Sequence, residues 1–171
     1  MKRLLCALTL LALSTPLAAQ QKREFFAFAD SPGGGWSEAR GTTFDTGYGV
    51  SFRFYSSEHF STELSVAQRY VMIAVAPDVS LRLRTNPADL IAAYHFANDS
   101  NWKPYVGLGL HHLYAQGADY SGRNSAEVTG GVAYQLTPKF FVCGDLMRLL
   151  RSDTTSYDQR TRALLGFGWR F

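Results

Sequence analysis

The reactive side chains in this sequence form few groups, and each fails a geometric requirement of the chemistry it suggests. Asp45-Thr46-Gly47 is the triplet of two-carboxylate peptidases, whose dyad needs a second carboxylate about 3 Å away. The chain holds no second copy. His111 and His112 are neighbours, and neighbours on a strand face opposite ways, so they do not converge on one ion. No metal and no other cofactor is predicted. A hydrolytic triad needs a serine in reach of a histidine that a carboxylate orients. On a strand that means a two-residue spacing, and His59, which Ser57 flanks in that way, stands inside a stretch that reads as a turn. The glycine-rich Ser31-Pro32-Gly33-Gly34-Gly35-Trp36 lacks the Lys-Ser/Thr and the helix of a phosphate loop. Asn98-Asp99-Ser100 matches a glycosylation triplet but reads as a turn. The sequence therefore predicts no catalytic residues and no enzyme.

One charged group stays open. Arg148, Arg151 and Arg160, with Arg162 beside them, flank a polar stretch near the end of the chain. Either they are a solvated rim, or their planar forks contact lipid phosphates, a geometry arginine suits.

The elements that would position these residues follow from composition and pattern. Lys2 and Arg3 precede an apolar run from Leu4 to Leu13, then Ser14, Thr15, Pro16 and small residues, the layout of a secretory signal. Cleavage is expected after Ala19, so residues 1–19 are read as the signal and 20–171 as one domain. The formal net charge is +3, of which Lys2 and Arg3 supply two. That leaves no clustered basic face for nucleic acid. Cys6 would leave with the signal and Cys143 would remain alone, so no internal disulfide is possible. The mature chain has no apolar run long enough for a spanning helix, and its aromatics and glycines suit strands.

Eight segments alternate with period two. From Phe44 onward, Phe44, Thr46, Tyr48, Val50, Phe52 and Phe54 oppose Asp45, Gly47, Gly49, Ser51, Arg53 and Tyr55. Leu90, Ala92, Tyr94 and Phe96 oppose Asp89, Ile91, Ala93 and His95. The last strand sets Leu165, Phe167, Trp169 and Phe171 against Leu164, Gly166, Gly168 and Arg170. One face is bulky and apolar, the other small or charged. An eight-stranded barrel has room inside only for side chains or one small ligand, so the small and charged set belongs inside. A lipocalin pocket lined that way would bury unpaired charge at a cost. The fold predicted is all-β, an eight-stranded antiparallel up-and-down transmembrane β-barrel, apolar outward and polar inward.

Connections alternate long and short: 31–42, 55–60, 71–88, 97–103, 115–124, 136–139 and 151–159. External loops are long and periplasmic turns short in such barrels, which predicts both termini on the periplasmic side of a bacterial outer membrane. Inside, Arg53, Glu63, Arg69, Asp89, Glu127, Asp145, Arg162 and Arg170 form an expected charge network. Ile91, Phe141, Met147 and Leu164 form an expected apolar patch, with Leu113 if its strand stays in register. Cys143 reads as a small filler.

The segment Tyr94-His95-Phe96, a short polar turn, and Pro104-Tyr105-Val106-Gly107 with Gly109 resembles the OmpW family of small outer-membrane proteins. The placing of Asp145 after a turn ending at Lys139 is similar too, and barrels of the OmpX and OmpA types share the aromatic ending. The resemblance implies that the apolar patch lines a site binding or passively admitting small hydrophobic molecules, alongside a part in envelope integrity. The alternatives are a closed structural or adhesive barrel of the OmpX type acting through its loops, and a lipid A-modifying enzyme. The implied partners are outer-membrane lipid and lipopolysaccharide, a small hydrophobic ligand, and the assembly machinery, which would read Gly166, Trp169 and Phe171. A monomer is expected.

Overall fold

Period-two alternation with two different solvents leaves the backbone one way to satisfy all its donors and acceptors: a sheet closed on itself. A computed structural model describes residues 22–30, 42–44, 46–76, 79–96, 99–115, 123–150 and 161–171. Its strands are β1 (Arg23–Asp30), β2 (Thr42–Phe44), β3 (Gly47–Tyr55), β4 (Phe60–Ala76), β5 (Val79–His95), β6 (Trp102–Ala115), β7 (Arg123–Gln135), β8 (Phe140–Leu149) and β9 (Thr161–Arg170). All pairings are antiparallel, and the ring runs β1-β3-β4-β5-β6-β7-β8-β9 and back to β1. The short β2 continues β3 along β4. The predicted closed eight-stranded barrel is what forms.

At the seam, Glu24 faces Arg170, Phe26 faces Gly168 and Phe28 faces Gly166. The backbone groups of Arg23 and Phe171 exchange hydrogen bonds of 3.1 and 3.0 Å, so pairing runs to the last residue. Two tight turns share one device at that end of the barrel. The Ser57 and Thr137 hydroxyl oxygens accept the backbone N–H of Phe60 (3.1 Å) and Phe140 (3.0 Å), three residues on.

Two sequence expectations change. Residues 71–88, read as a long connection, instead extend β4 and β5 into a hairpin whose pairing runs past Val71↔Leu83 to Ala76↔Val79. The alternation was missed because it inverts: Arg82 and Arg84 take the positions that Leu90 and Tyr94 hold lower on β5, while Val79, Leu81 and Leu83 take those of the buried polar set. Nor is Phe44–Tyr55 one unbroken strand. Phe44 opposes Val71 and Tyr48 opposes Gln68, so four steps on one side meet three on the other. The register changes between the end of β2 at Phe44 and the start of β3 at Gly47, and Asp45 lies outside the described residues. The β4–β5 ladder also lacks the pairs of Ala67 opposite Pro87 and of Gln68 opposite Asn86. Proline has no N–H to give to a ladder.

The outward rows are exposed and apolar, among them Val50, Phe52, Leu64, Val66, Leu90, Val106, Leu108, Leu110, Leu165 and Phe167. Aromatic residues gather near the end that holds Lys22 and Phe171: Phe54, Phe60, Tyr94, Phe96, Trp102, Phe140 and Trp169.

Candidate functional site

Eight converging strands place their alternate side chains in one lumen, and these fill it in layers. Nearest the termini, Arg53 on β3 is fully buried. Its guanidinium donates to Glu63 Oε2 from Nη2 (2.7 Å) and Nε (3.0 Å), to Glu24 Oε2 (3.4 Å) and to the Tyr105 hydroxyl (2.9 Å). Glu24 Oε1 also accepts a two-pronged contact from Arg170 at 2.7 and 2.9 Å, and its Oε2 accepts the Tyr55 hydroxyl at 3.0 Å. Ser51 donates to Glu63 Oε1 at 2.7 Å, and Tyr105 donates to Asp145. Lys22, just before β1, lies 3.8 Å from Glu24 and over the Tyr55 ring. Partial burial lowers its ammonium from the ordinary value, against the pull of Glu24. Such a layer holds because Arg53, Arg170, Glu24 and Glu63 each meet an opposite charge, and Asp145 accepts the Tyr105 hydroxyl.

The middle layer is apolar: Phe26, Phe28, Ile91, Phe141, Cys143, Met147 and Leu164 pack together. The Phe26 ring lies 6.0 Å from that of Phe141 and 6.3 Å from that of Phe28. Space for these rings comes from glycine. A Cβ on Gly168 would stand 2.3 Å from Phe141 Cζ and 2.6 Å from Phe26 Cβ, closer than atoms can approach.

The third layer, farther from the termini, joins five strands. Asp89 on β5 accepts Arg162 Nη2 (3.0 Å) and Ser65 (2.9 Å), and lies 2.5 Å from His111 Nδ1. The same Arg162 Nη2 donates to Glu127 Oε2 at 2.9 Å. Asp89, His111 and Glu127 each offer a ligand atom within 4.8 Å of the others, a donor set that suits a divalent ion. Arg162 already bridges both carboxylates and supplies the positive charge there. Arg69 pairs with Asp30 on the neighbouring wall.

The eight charges expected in one network thus fall at different levels: Arg53, Glu63 and Arg170 at one, with Asp145 joined to Arg53 through Tyr105, Asp89, Glu127 and Arg162 at another, and Arg69 with Asp30. Ile91, Phe141, Met147 and Leu164 all lie buried inside, and Leu113 with them. Arg148 is exposed on the outer wall, whereas Arg151 and Arg160 lie outside the described residues. Trp169 and Phe171 face outward with their rings 5.7 Å apart, and Gly166 faces inward against Cys143. Sequence reasoning missed Glu24, which bonds three cations, and the inward Phe26 and Phe28. Bulk alone does not mark the outer face of these strands. Counting by twos from Arg170 across the seam would have found Glu24.

A wall apolar outside and charged inside is the inverse of a water-soluble barrel. The sequence matches the family described as outer membrane protein beta-barrel domain over residues 5–171. The chain belongs to that family. This outer-membrane β-barrel is similar to solved structures of the same kind. The N-terminal β-barrel domain of Pseudomonas aeruginosa OprF aligns at a TM-score of 0.63 and 22% identity, covering 89% of this chain and 100% of that one. OprG from Pseudomonas aeruginosa aligns at 0.54 and 19%, covering 88% and 94%. Ail of Yersinia pestis, in a phospholipid nanodisc, aligns at 0.58 and 16%, covering 90% and 100%. At these identities the likeness concerns the fold. A comparison with curated proteins found no match. Membership places this outer-membrane β-barrel in the bacterial outer membrane.

Proposed function

We propose that the protein is a non-conducting structural barrel that contributes to envelope integrity, held with both termini in the periplasm and acting through its outer wall and loops. The observation that carries this reading is the lumen. Two layers of paired charge with an aromatic layer between them cross it, and Arg53, Phe26, Phe141, Glu127 and Arg162 are each at most 2% exposed. Water or solute moving through would have to part the Arg53–Glu63 and Arg162–Glu127 pairs and displace the Phe26–Phe141 contact. Residues expected to line a hydrophobic ligand site pack instead against one another, which favours the closed barrel over passage of small apolar compounds. An adhesive role has support only by analogy: the similar Yersinia pestis Ail is called an attachment invasion locus protein and was crystallised with the heparin analogue sucrose octasulfate.

The reading is tested by conductance. The refolded full chain, inserted in planar bilayers and in swelling liposomes, is expected to give no steady channel current and no sugar uptake. Stable openings from properly folded barrels would overturn it, as would uptake of a fluorescent apolar dye faster than into protein-free vesicles.

A further inference from the structure

The extended hairpin carries two arginines where a lipid headgroup would lie. From Phe96, just past the end of β5, the outward row runs up that strand through Tyr94, Ala92, Leu90 and Ala88 and then Asn86, Arg84 and Arg82. From Phe96 to Asn86 is about 33 Å along the strand and about 25 Å along the barrel axis at the usual tilt, the height of an outer-membrane apolar band. The neighbouring strands change character at the same row. Gln68 donates to the Tyr48 and Tyr70 hydroxyls at 3.0 and 3.2 Å, His112 bonds Asn124 at 2.7 Å, and Tyr114 faces Asn86 across β5–β6. Below that row the wall is Val66, Leu64, Leu90 and Leu110. Arg84 stands one outward step above it, opposite Tyr70, and Arg82 two steps above, opposite Met72. Both arginines are exposed, and the Arg82 guanidinium lies 4.1 Å over the Tyr70 ring, which holds it against the wall.

We propose that Arg82 and Arg84, braced by Tyr70, bind the phosphate of a phosphorylated lipid in the membrane leaflet farther from the termini, its acyl chains lying on the apolar wall beneath. Charge complementarity selects an anion, and the planar fork of arginine selects phosphate. Position selects a lipid: the pair sits directly above an apolar surface tall enough for acyl chains. This site differs from the one around Arg148, which lies on β8, three strands from β5 around the ring. It rests on the orientation given under the proposed function, and not on whether the lumen conducts.

The test places the full chain in phosphatidylcholine nanodiscs doped with a minority of diphosphoryl lipid A and counts retained lipid A by native mass spectrometry. The wild type is expected to retain it above the bulk ratio, and to lose that preference when the lipid A has been dephosphorylated. In the double variant Arg82→Ala/Arg84→Ala retention should fall by about fivefold per arginine, whereas Arg82→Lys/Arg84→Lys, which keeps charge without the fork, should fall less. Equal retention of phosphorylated and dephosphorylated lipid A by the wild type would overturn the proposal, whatever the variants do. So would displacement of the lipid by inorganic phosphate, which would mark a site for free anions. Ion conductance by the same preparation would overturn the closed-barrel reading and leave this site standing.

Discussion

Arg162 bridges two carboxylates that no solvent reaches. Removing one partner of a buried ion pair typically costs about 3–5 kcal/mol, since the other charge stays buried and uncompensated. Arg162→Met should therefore destabilise the folded barrel by at least about 3 kcal/mol, read as a lower urea midpoint in detergent with the heat-dependent gel shift as the probe. Adding Asp89→Asn and Glu127→Gln should recover much of the loss, because the layer then holds no unmatched charge. Glycine offers a second reading at this scale. Gly168→Ala should destabilise, because its Cβ collides with Phe141 and Phe26, and Phe141→Leu should relieve only the part due to the Phe141 ring. Gly130→Ala, with nothing within 4 Å, should be neutral in the same assay. Charged residues on the inner face were legible from alternation alone. Their partners were not, because pairing in a lumen depends on which strands meet across it, and a lone strand carries no such information. The neighbour of Arg170 is Glu24, 146 positions away.

Strands inside the membrane band announced themselves, since one face meets lipid and the other a polar interior. The hairpin above it did not, since both faces leave that regime and the pattern changes sign between Asn86 and Arg84. An alternation rule that fixes apolar residues outward loses such a strand at the boundary. The closing strand shows the opposite case. Its row of Leu165, Phe167, Trp169 and Phe171 is plain in the sequence, and the seam it makes with β1 ends on Phe171 itself. Deleting Phe171 removes the paired backbone bonds with Arg23 and one ring of the outward aromatic row. The expected outcome is a sharp fall in heat-modifiable barrel recovered from the outer-membrane fraction, larger than that caused by trimming residues 116–122. Equal recovery of the two variants would count against a role for this terminus in assembly.

As a whole the molecule is a ring of neighbours, so its stability is that of its weakest rung. One interrupted rung lies where Pro87 stands in β5: the β4–β5 ladder breaks beside it, at the height where Gln68, Asn86 and His112 mark the change from apolar to polar wall. A missing donor inside hydrocarbon would be costly, and at this height the outward residues Gln68 and Asn86 are already polar. The gap therefore divides the protein into two cooperative units, a lower cylinder whose amides open only with global unfolding and an upper hairpin that opens alone. Deuterium uptake should show this directly, with amides of 79–84 exchanging orders of magnitude faster than those of 88–95 on the same strand. Evolution can then lengthen, shorten or recode the hairpin without retuning the cylinder beneath it: the single proline works as a perforation, setting where the part that can change is separable from the part that cannot.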